Sequence, residues 1–451
     1  MAAPSTTVSA AHTYELDRAH VFHSWSAQQT LDPMVIEDAA GCEVWDGAGR
    51  RYLDFSSQLV YTNVGHQHPR VVEAIQQQAA KLCTIAPAHA NAARSQAAHL
   101  IAQIAPEGMD RVFFTSGGAD ANEHAVRMAR LHTGRYKVLS AFRSYHGATA
   151  QTINLSGDHR RWPNDHGNSG VVHFHGPFLY RSEFHAATEE QECERALAHL
   201  DSLIRFEGPD AFAALIIEPV PGTSGIMPPP PGYLPGVRAI CDRYGIVMIC
   251  DEVMAGFGRT GGWLALDHYG AVPDLITFAK GVNSGYVPLG GVIVGERIYR
   301  TFAQRAYPGG LTYSGHPLAC AAAVATIETM HAESIVENAE FIGRTALGPG
   351  LRELARRHPS VGEVRGLGVF WALDLVTDRE TREPLSPYGG TNAAIAQTMS
   401  AAREQGLLLF NNYHRIHVVP PCIVTPAEIS AGLAMLDRAL DVADSFYTGA
   451  R

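Results

Sequence analysis

The sequence has 451 residues, of which 46% are hydrophobic and 18% are charged. This balance is typical of a folded, enzyme-sized protein with a sizeable core, and it excludes a disordered chain or a long coiled coil. The formal net charge of -10, with no local run of lysine and arginine to offset it, argues against nucleic-acid binding.

The predicted elements alternate between strands and helices along most of the chain. Alternation over 41–55, on both sides of an Asp46-Gly47 turn, predicts a β-hairpin. Amphipathic or Ala-rich stretches predict helices at 119–132, 235–244 and 317–330. Short β-branched runs bounded by turn residues predict six buried strands, at 111–115, 137–141, 213–217, 246–250, 275–278 and 291–294. Strands joined by crossover helices predict a mostly parallel sheet covered on both faces.

The carboxyl-terminal third has a different pattern. Further strands are predicted at 364–375, 407–410 and 416–419, and a closing helix at 426–443. We therefore predict an α/β fold in which residues 66–325 form a large domain. The flanking segments 1–65 and 326–451 are predicted to pack together as a smaller α+β domain.

The cysteines and the lack of membrane-length apolar segments indicate where in the cell the protein is found. Seven scattered cysteines, an odd number with no Cys-x-x-Cys pair, favour reduced thiols. The start of the chain lacks the basic and apolar regions of a signal peptide, and no apolar run reaches the roughly 18 residues that cross a bilayer. We expect a cytoplasmic protein with no membrane segment.

One lysine has a position suited to covalent chemistry. Lys280 follows an apolar strand and precedes a Gly-rich loop. Ligands of open α/β sheets bind beyond the carboxyl ends of the strands, where a desolvated lysine has a lowered pKa and can attack an aldehyde. The alternative is an ordinary solvated lysine at a strand end.

Three further features suggest a ligand at the same edge of the sheet. Asp251 ends a buried strand, where a carboxylate needs a cation or a protonated heterocycle unless it only caps a turn. Gly117 and Gly118 follow a strand and open a helix, whose N–H groups can bind a phosphate, although a generic tight turn explains them almost as well. Tyr145, just past another strand, can cover a planar ligand or belong to the core.

Together these four features are what pyridoxal phosphate requires of a protein. Their order resembles the class III (ω-amino-acid) aminotransferases of fold type I, from about residue 24 to the final helix. The motifs that carry the resemblance are SGGADAN at 116–122, YHG at 145–147, EPV at 218–220, DEV at 251–253, AKG at 279–281 and TYSGHP at 312–317. The resemblance implies pyridoxal 5'-phosphate as cofactor and a sheet of the seven-stranded type in the large domain.

The resemblance also implies residue roles. Lys280 resembles the Schiff-base lysine and proton shuttle, and Asp251 the carboxylate that keeps the pyridine nitrogen protonated. Glu218 looks like the residue that supports Asp251. Thr312 resembles a threonine that reaches the phosphate of the neighbouring subunit, which implies a homodimer or a dimer of dimers. The residues expected to bind the cofactor are Gly117, Gly118, Ala119, Tyr145, His146, Glu218, Asp251, Val253, Lys280 and Thr312.

The substrate residues are less well defined. Thr223 stands where related enzymes have a glutamate that masks a substrate-binding arginine, so the usual glutamate-exchange switch is not expected. Arg415 either binds the substrate's acidic group from a shifted loop or lies on the surface. Trp25 and Tyr61 form an aromatic substrate wall or are interface core. Weaker motifs over 20–28 and 412–421 are similar to the taurine and β-alanine branch of the family.

The leading hypothesis is transfer of an amino group from a primary amine or ω-amino acid to a 2-oxo acid such as pyruvate or 2-oxoglutarate. An aminomutase, racemase or decarboxylase of the same fold is the alternative, and a non-catalytic regulatory protein is a third possibility. Histidine pairs at 66/68, 173/175 and 414/417 have no cysteine or carboxylate at ligand spacing, so no metal site is predicted.

Overall fold

The computed structural model describes residues 9–164 and 170–450. Residues 1–8 of the predicted 1–65 segment and residue 451 of the predicted 326–451 segment lie outside this description. Within the described residues, the strands form three β-sheets.

The first sheet contains the predicted hairpin. Strands β1 (Ile36–Ala40), β2 (Glu43–Asp46) and β3 (Arg51–Asp54) pair antiparallel in sequence order. The chain reverses between β2 and β3 at the Asp46-Gly47 turn, so the hairpin predicted over 41–55 is confirmed.

The largest sheet has seven strands and lies at the centre of the fold. Its strands are β4 (Arg111–Thr115), β5 (Lys137–Ala141), β6 (Val171–Phe174), β7 (Phe212–Ile217), β8 (Val247–Asp251), β9 (Leu275–Phe278) and β10 (Gly290–Val294). The spatial order is β4-β10-β9-β8-β7-β5-β6, and only β10 runs antiparallel to its neighbours. All six predicted strands are confirmed. Strand β6 was missed because it is a four-residue edge strand, with a single fully buried residue, rather than a continuous apolar run.

The third sheet lies in the carboxyl-terminal part of the chain. Its strands are β11 (Val361–Leu367), β12 (Phe370–Asp378), β13 (Glu383–Pro384), β15 (Phe410–Asn412) and β16 (Arg415–Val418), while the short β14 (Leu407–Leu408) joins the first sheet. The predicted strand at 364–375 is two strands, because the chain turns at Gly368. This residue has a φ of 56°, and an added Cβ would lie 2.3 Å from the carbonyl carbon of Thr260.

The two ends of the chain meet in the first sheet. Strand β14 pairs in parallel with β3, so that Leu407 lies opposite Leu53 and Leu408 opposite Asp54. This pairing supports the predicted smaller domain built from both ends. The exact domain boundaries stay a prediction.

The helices cover the sheets. They are α1 (Ala10–His20), α2 (Ser57–Val60), α3 (Pro69–Lys81), α4 (Ala92–Ile104), α5 (Gly118–Thr133), α6 (Ala150–Leu155), α7 (Glu189–Glu207), α8 (Tyr233–Tyr244), α9 (Glu296–Phe302), α10 (Pro317–Ala332), α11 (Ile335–Ile342), α12 (Gly348–Arg357), α13 (Ala393–Glu404) and α14 (Pro426–Asp444). Helices α5, α8, α10 and α14 confirm the four predicted ones within about two residues. Among the described residues, no helix is both long enough and apolar enough to span a bilayer.

The strand directions determine where a ligand can bind. Strands β4, β5, β7, β8 and β9 run the same way, so their carboxyl ends lie at one edge of the sheet. Every residue of β7, β8, β9 and β10 is buried, as expected for strands covered on both faces. Polar side chains that follow these strands therefore converge at this edge.

Candidate active site

A cavity of about 450 Å³ opens at the carboxyl edge of the large sheet. It is lined by most of the predicted site residues: Tyr61, Gly117, Gly118, Ala119, Tyr145, His146, Glu218, Asp251, Val253 and Lys280. Three predicted residues, Trp25, Thr312 and Arg415, do not line it. The residues taken from strand ends and from the Gly-rich loop are thus brought together with Tyr61, whereas Trp25, Thr312 and Arg415 are not part of the lining.

Lys280 follows β9 and its side chain faces this cavity. Its backbone has a φ of 47°, in the left-handed region that residues other than glycine rarely adopt. Burial lowers the pKa of Lys280 from 10.5 to about 8, against the opposing effect of the charges on Asp251 and Glu218. The amine is therefore neutral, and nucleophilic, at a pH far below that of an exposed lysine.

Asp251 ends β8 and is held by three donors. Its Oδ2 accepts a hydrogen bond from Nδ2 of Asn122 at 2.7 Å and lies 2.8 Å from Nδ1 of His146, and its Oδ1 accepts from the backbone N–H of Val253 at 3.0 Å. The side chain is 3% exposed, and within the described chain its only ion-pair partner is His146. A buried carboxylate that faces a cavity in this way is suited to a cationic ring nitrogen.

Glu218 has other partners than the sequence suggested. Its carboxylate accepts from the backbone N–H of Tyr145 at 3.0 Å and of Gly222 at 2.8 Å, and it makes no hydrogen bond with Asp251. Burial raises the pKa of Glu218; the charge of His146 lowers it and that of Asp251 raises it further. The hydrogen bonds that support Asp251 come instead from Asn122, His146 and the backbone N–H of Val253.

The Gly-rich loop fits an anion. Helix α5 starts at Gly118 and its first backbone hydrogen bond runs from Ala121 N–H to the Gly117 carbonyl, which leaves the N–H groups of residues 118–120 for a ligand. An added Cβ at Gly118 would lie 2.7 Å from Cγ1 of Val253, a side chain of the cavity floor. Glycine is therefore required where the loop passes this side chain.

Arg160 is a functional candidate that the sequence did not reveal. Its guanidinium lies 3.7 Å from the ring centroid of Tyr145, and its Nε donates to Oδ2 of Asp158 at 2.8 Å. Its charge is one of those that lower the pKa of Lys280, after burial and the opposing carboxylates. No motif surrounds Arg160, which lies in a short 3-10 turn at 159–164, so no signal in the sequence distinguished it.

Arg415 lies on β16 next to the site. Its side chain is 7% exposed, so the surface alternative is wrong. The guanidinium donates to the Ser224 carbonyl at 2.5 Å and lines a neighbouring cavity of about 400 Å³ together with Tyr388 and His414. An acid-binding role for Arg415 stays a prediction.

Trp25 and Thr312 are both exposed. Trp25 retains 66% of its accessible surface and has a φ of 55°. Neither residue touches the cavity of Lys280, so each can contribute to catalysis only through another molecule or a change of conformation. Their predicted roles at the subunit interface stay predictions.

The predicted histidine pairs have protein partners. His66 lies 2.9 Å from Oδ2 of Asp54, and His417 lies 3.1 Å from the Gly222 carbonyl. In each of these two rings the contact uses Nε2. The predicted absence of a metal site stays a prediction.

Comparison with known proteins identifies the family. Residues 25–440 match the family Aminotransferase class-III. A solved taurine:2-oxoglutarate aminotransferase from Bifidobacterium kashiwanohense, in complex with PLP and glutamate, is 41% identical with a TM-score of 0.94, over 98% of this chain and 99% of that one. A taurine–pyruvate aminotransferase from Bilophila wadsworthia is 32% identical over 98% of this chain and 99% of its own. A putrescine–pyruvate aminotransferase from Pseudomonas aeruginosa is 34% identical over 90% of each chain.

The chain belongs to the class III aminotransferases, with the fold-type-I architecture that this family shares. It is therefore an enzyme that uses pyridoxal 5'-phosphate to transfer an amino group from an amine to a 2-oxo acid. The buried Asp251 carboxylate, the Lys280 amine with its lowered pKa and the backbone N–H groups at the start of α5 fit this cofactor. The aminomutase, racemase, decarboxylase and regulatory alternatives have no support from these relatives.

Proposed function

We propose that Lys280 and Asp251 are the catalytic residues of this aminotransferase. The bound cofactor supplies an aldehyde and a ring that withdraws electrons from the substrate carbon. Asp251 would hold a proton on the ring nitrogen, because its carboxylate is fixed by three hydrogen-bond donors in a buried position. The lowered pKa of Lys280 supports its role as nucleophile and then as the base that moves the substrate proton.

The other cavity residues hold the cofactor. The N–H groups at the start of α5 bind the phosphate, with no contribution from the hydroxyl groups that Gly117 and Ala119 lack. Tyr145 and Val253 would enclose the ring between them, and His146 supports Asp251. Tyr61, which lines the same cavity, closes the substrate side.

The preferred donor is proposed to be a short amine with an acidic group at its far end, such as taurine or β-alanine. The observation that carries this proposal is Arg160, whose guanidinium stacks on the cavity residue Tyr145 and lies close enough to affect Lys280. An arginine fork matches a carboxylate or sulfonate with two hydrogen bonds. The taurine aminotransferases among the relatives are further support.

A donor panel tests this proposal. We would mix the holoenzyme with taurine, β-alanine, 4-aminobutyrate, putrescine and propylamine, and follow the visible absorbance of the cofactor in the first half-reaction. Taurine and β-alanine, which have two carbons between the amine and the acidic group, are expected to react with the highest kcat/KM. Pyruvate and 2-oxoglutarate are then compared in the second half-reaction. A higher kcat/KM for propylamine than for both taurine and β-alanine would refute the preference for acidic donors.

The active unit is proposed to be a homodimer in which Thr312 contacts the phosphate in the neighbouring subunit. Support comes from its exposure, its distance from its own cavity and the exposed hydrophobic residues Phe22, Trp25, Ile85 and Tyr313. Subunits with Lys280→Ala and subunits with Thr312→Ala are mixed under exchange conditions. Activity in the mixture above both parents is expected, since a mixed dimer has one site with both native residues. A fully active monomer would contradict the shared site.

A cytoplasmic location is also proposed. All seven cysteines are unpaired, which suits a reducing compartment. Fractionation of the producing cells with a cytoplasmic marker enzyme tests it.

A further inference from the structure

We propose that Thr277, acting through Asn122, is a positioning residue that holds the carboxylate of Asp251 in its ionised, cofactor-directed state. Asn122 lines the Lys280 cavity, whereas Thr277 lies behind it and is not part of the lining. The proposal rests on the role of Asp251 proposed above, and the experiment below separates the failure of one from the failure of the other.

The three side chains form one hydrogen-bonded chain across three elements. Oγ1 of Thr277 on β9 donates to Oδ1 of Asn122 on α5 at 2.7 Å. Nδ2 of Asn122 donates to Oδ2 of Asp251 on β8 at 2.7 Å, and also to the backbone carbonyl of His146 at 2.8 Å. Thr277, Asn122 and Asp251 are 0%, 1% and 3% exposed, so they depend on one another and on neighbouring protein groups for their hydrogen bonds.

The direction of every bond follows from the charge at one end. An ionised carboxylate only accepts hydrogen bonds, so the amide group of Asn122 must turn its NH₂ towards Asp251. Its oxygen then faces Thr277, whose hydroxyl must donate. A rotation of the amide by half a turn would place its oxygen against Oδ2 of Asp251 and the His146 carbonyl, where both contacts are repulsive. The hydroxyl of Thr277 is the group that holds the amide in the productive orientation.

The sequence of β9 indicates that the hydroxyl has a function of its own. The other residues of this buried strand are Leu275, Ile276 and Phe278, each of them 0% exposed. A valine would fill the same volume as Thr277, and a buried hydroxyl is unfavourable unless it is bonded. In the register of the sheet Thr277 lies opposite Asp251, but the bond between them is made through Asn122.

Loss of the Thr277 hydroxyl should change the charge distribution between Asp251 and the ring nitrogen of the cofactor. Without an oriented amide, the carboxylate of Asp251 loses one of its donors in a low-dielectric position. With a less stabilised carboxylate facing it, the ring nitrogen of the cofactor would carry less positive charge, and the ring would withdraw electrons less well. The visible absorbance of the holoenzyme should therefore titrate at a higher pH.

The test compares Thr277→Val with Thr277→Ser and with a matched control. Thr326 on α10 is a buried threonine whose hydroxyl has no hydrogen-bond partner among the described residues, so Thr326→Val makes the same chemical change without the bond. Three quantities are measured on each holoenzyme: the rate of the first half-reaction in a single turnover, the pH midpoint of the visible absorbance, and the thermal unfolding midpoint. Thr277→Ala serves in place of Thr277→Val should the latter fail to fold.

We expect Thr277→Val to lower the single-turnover rate about tenfold, the usual effect of one buried hydrogen bond, and to raise the absorbance midpoint by about half a pH unit or more. Thr277→Ser and Thr326→Val should stay within twofold of wild type in rate. In an Asn122→Leu background, Thr277→Val should have no further effect, because the two residues act in series.

Two results overturn the proposal. One is a loss of thermal stability in Thr277→Val with rate and absorbance midpoint unchanged, which is the signature of packing alone. The other is an additive effect with Asn122→Leu. Asp251→Asn is measured beside them: if it too leaves the rate unchanged, the proposed role of Asp251 is wrong, whereas a slow Asp251→Asn beside a normal Thr277→Val refutes only the positioning chain.

Discussion

The two sides of the cavity are built in different ways. The ring side, defined as Asp251, Asn122, His146 and Thr277, is a buried set of hydrogen bonds between β8, β9, α5 and the loop after β5. The proposed substrate side, defined as Trp25, Tyr61, Arg160 and Arg415, comes from loops and a strand of the smaller sheets, and of these four residues only Tyr61 lines the cavity. The residues proposed for the chemistry common to the family thus lie on the central sheet, whereas those proposed for the choice of substrate lie mostly on loops, where sequence varies more readily.

The ring side should be intolerant of change, and Lys280 beside it most of all. Lys280→Ala is expected to slow multiple turnover on the order of a thousandfold or more, because it removes both nucleophile and proton carrier. The sequence has only two other lysines, Lys81 and Lys137, which provide matched control variants. Borohydride reduction followed by peptide mapping should find the cofactor on Lys280 alone. An adduct on either control lysine would show that the nucleophile is misassigned.

Asp251→Asn should be the second largest effect. The amide can accept a hydrogen bond but carries no charge to hold the ring proton, so the first half-reaction should slow about a hundredfold, on the order of 3 kcal/mol. Cofactor content, measured from the absorbance of the denatured protein, separates slow chemistry from weak binding. A rate within twofold of wild type at full cofactor content would remove Asp251 from the mechanism.

The substrate side should respond selectively. Arg160→Ala or Arg415→Ala is expected to weaken acidic donors about thirtyfold, roughly 2 kcal/mol for a charge-assisted pair. Neutral amines such as propylamine should be much less affected, because they leave the guanidinium unused. Arg160 is expected to act on the donor, since it lies against Tyr145, whereas Arg415 lines the neighbouring cavity.

The kcat/KM values of both variants for taurine, β-alanine and propylamine decide between the two arginines. Equal losses for acidic and neutral donors would mean that the variant distorts the cavity rather than removing an acid-binding group. If only Arg415→Ala lowers kcat/KM selectively for acidic donors, the acid-binding residue is Arg415 and not Arg160.

The last expected effect concerns pH and needs no change of sequence. Burial lowers the pKa of Lys280 to about 8, so the neutral amine accumulates as the pH rises towards that value. The rate at which apoenzyme captures pyridoxal phosphate should therefore rise about tenfold per pH unit below 8 and level off above it. Stopped-flow absorbance from pH 6 to 10 measures this rate. A rate that is still rising at pH 10 would show an amine with an ordinary pKa, and the ring side would then lack its low-dielectric character.

The ring side was largely predictable from the sequence. Lys280 and Asp251 each follow a short apolar run, and strand ends of a parallel sheet must meet at one edge. The pair Gly117-Gly118 likewise comes directly after an apolar strand, and this position predicts the start of a helix. The contacts of Glu218 were predicted incorrectly, because a motif defines which residues approach each other but not which donors face which carboxylate.

The substrate side was predictable only in part. Tyr61 lines the cavity as expected. The turn that precedes it has left-handed backbone angles, with a φ of 43° at Ser57 and 59° at Gln58, and no glycine in the sequence predicted them. Arg160 reaches Tyr145 from a turn without motif or periodicity, so only the folded chain shows its position. Residues that meet through tertiary packing of irregular segments have no spacing rule from which to predict them.

The pairing of β3 with β14 has a consequence for how the protein is made. Strand β3 leaves the ribosome roughly 350 residues before β14, from Asp54 to Leu407. At synthesis rates of about 5–20 residues per second, its partner follows on the order of 20 to 70 s later. The central sheet, complete by Val294, can form in that interval. The amino-terminal hairpin must wait with one edge unpaired, and during those seconds this edge is the part of the nascent chain most open to chaperones or to pairing with another copy.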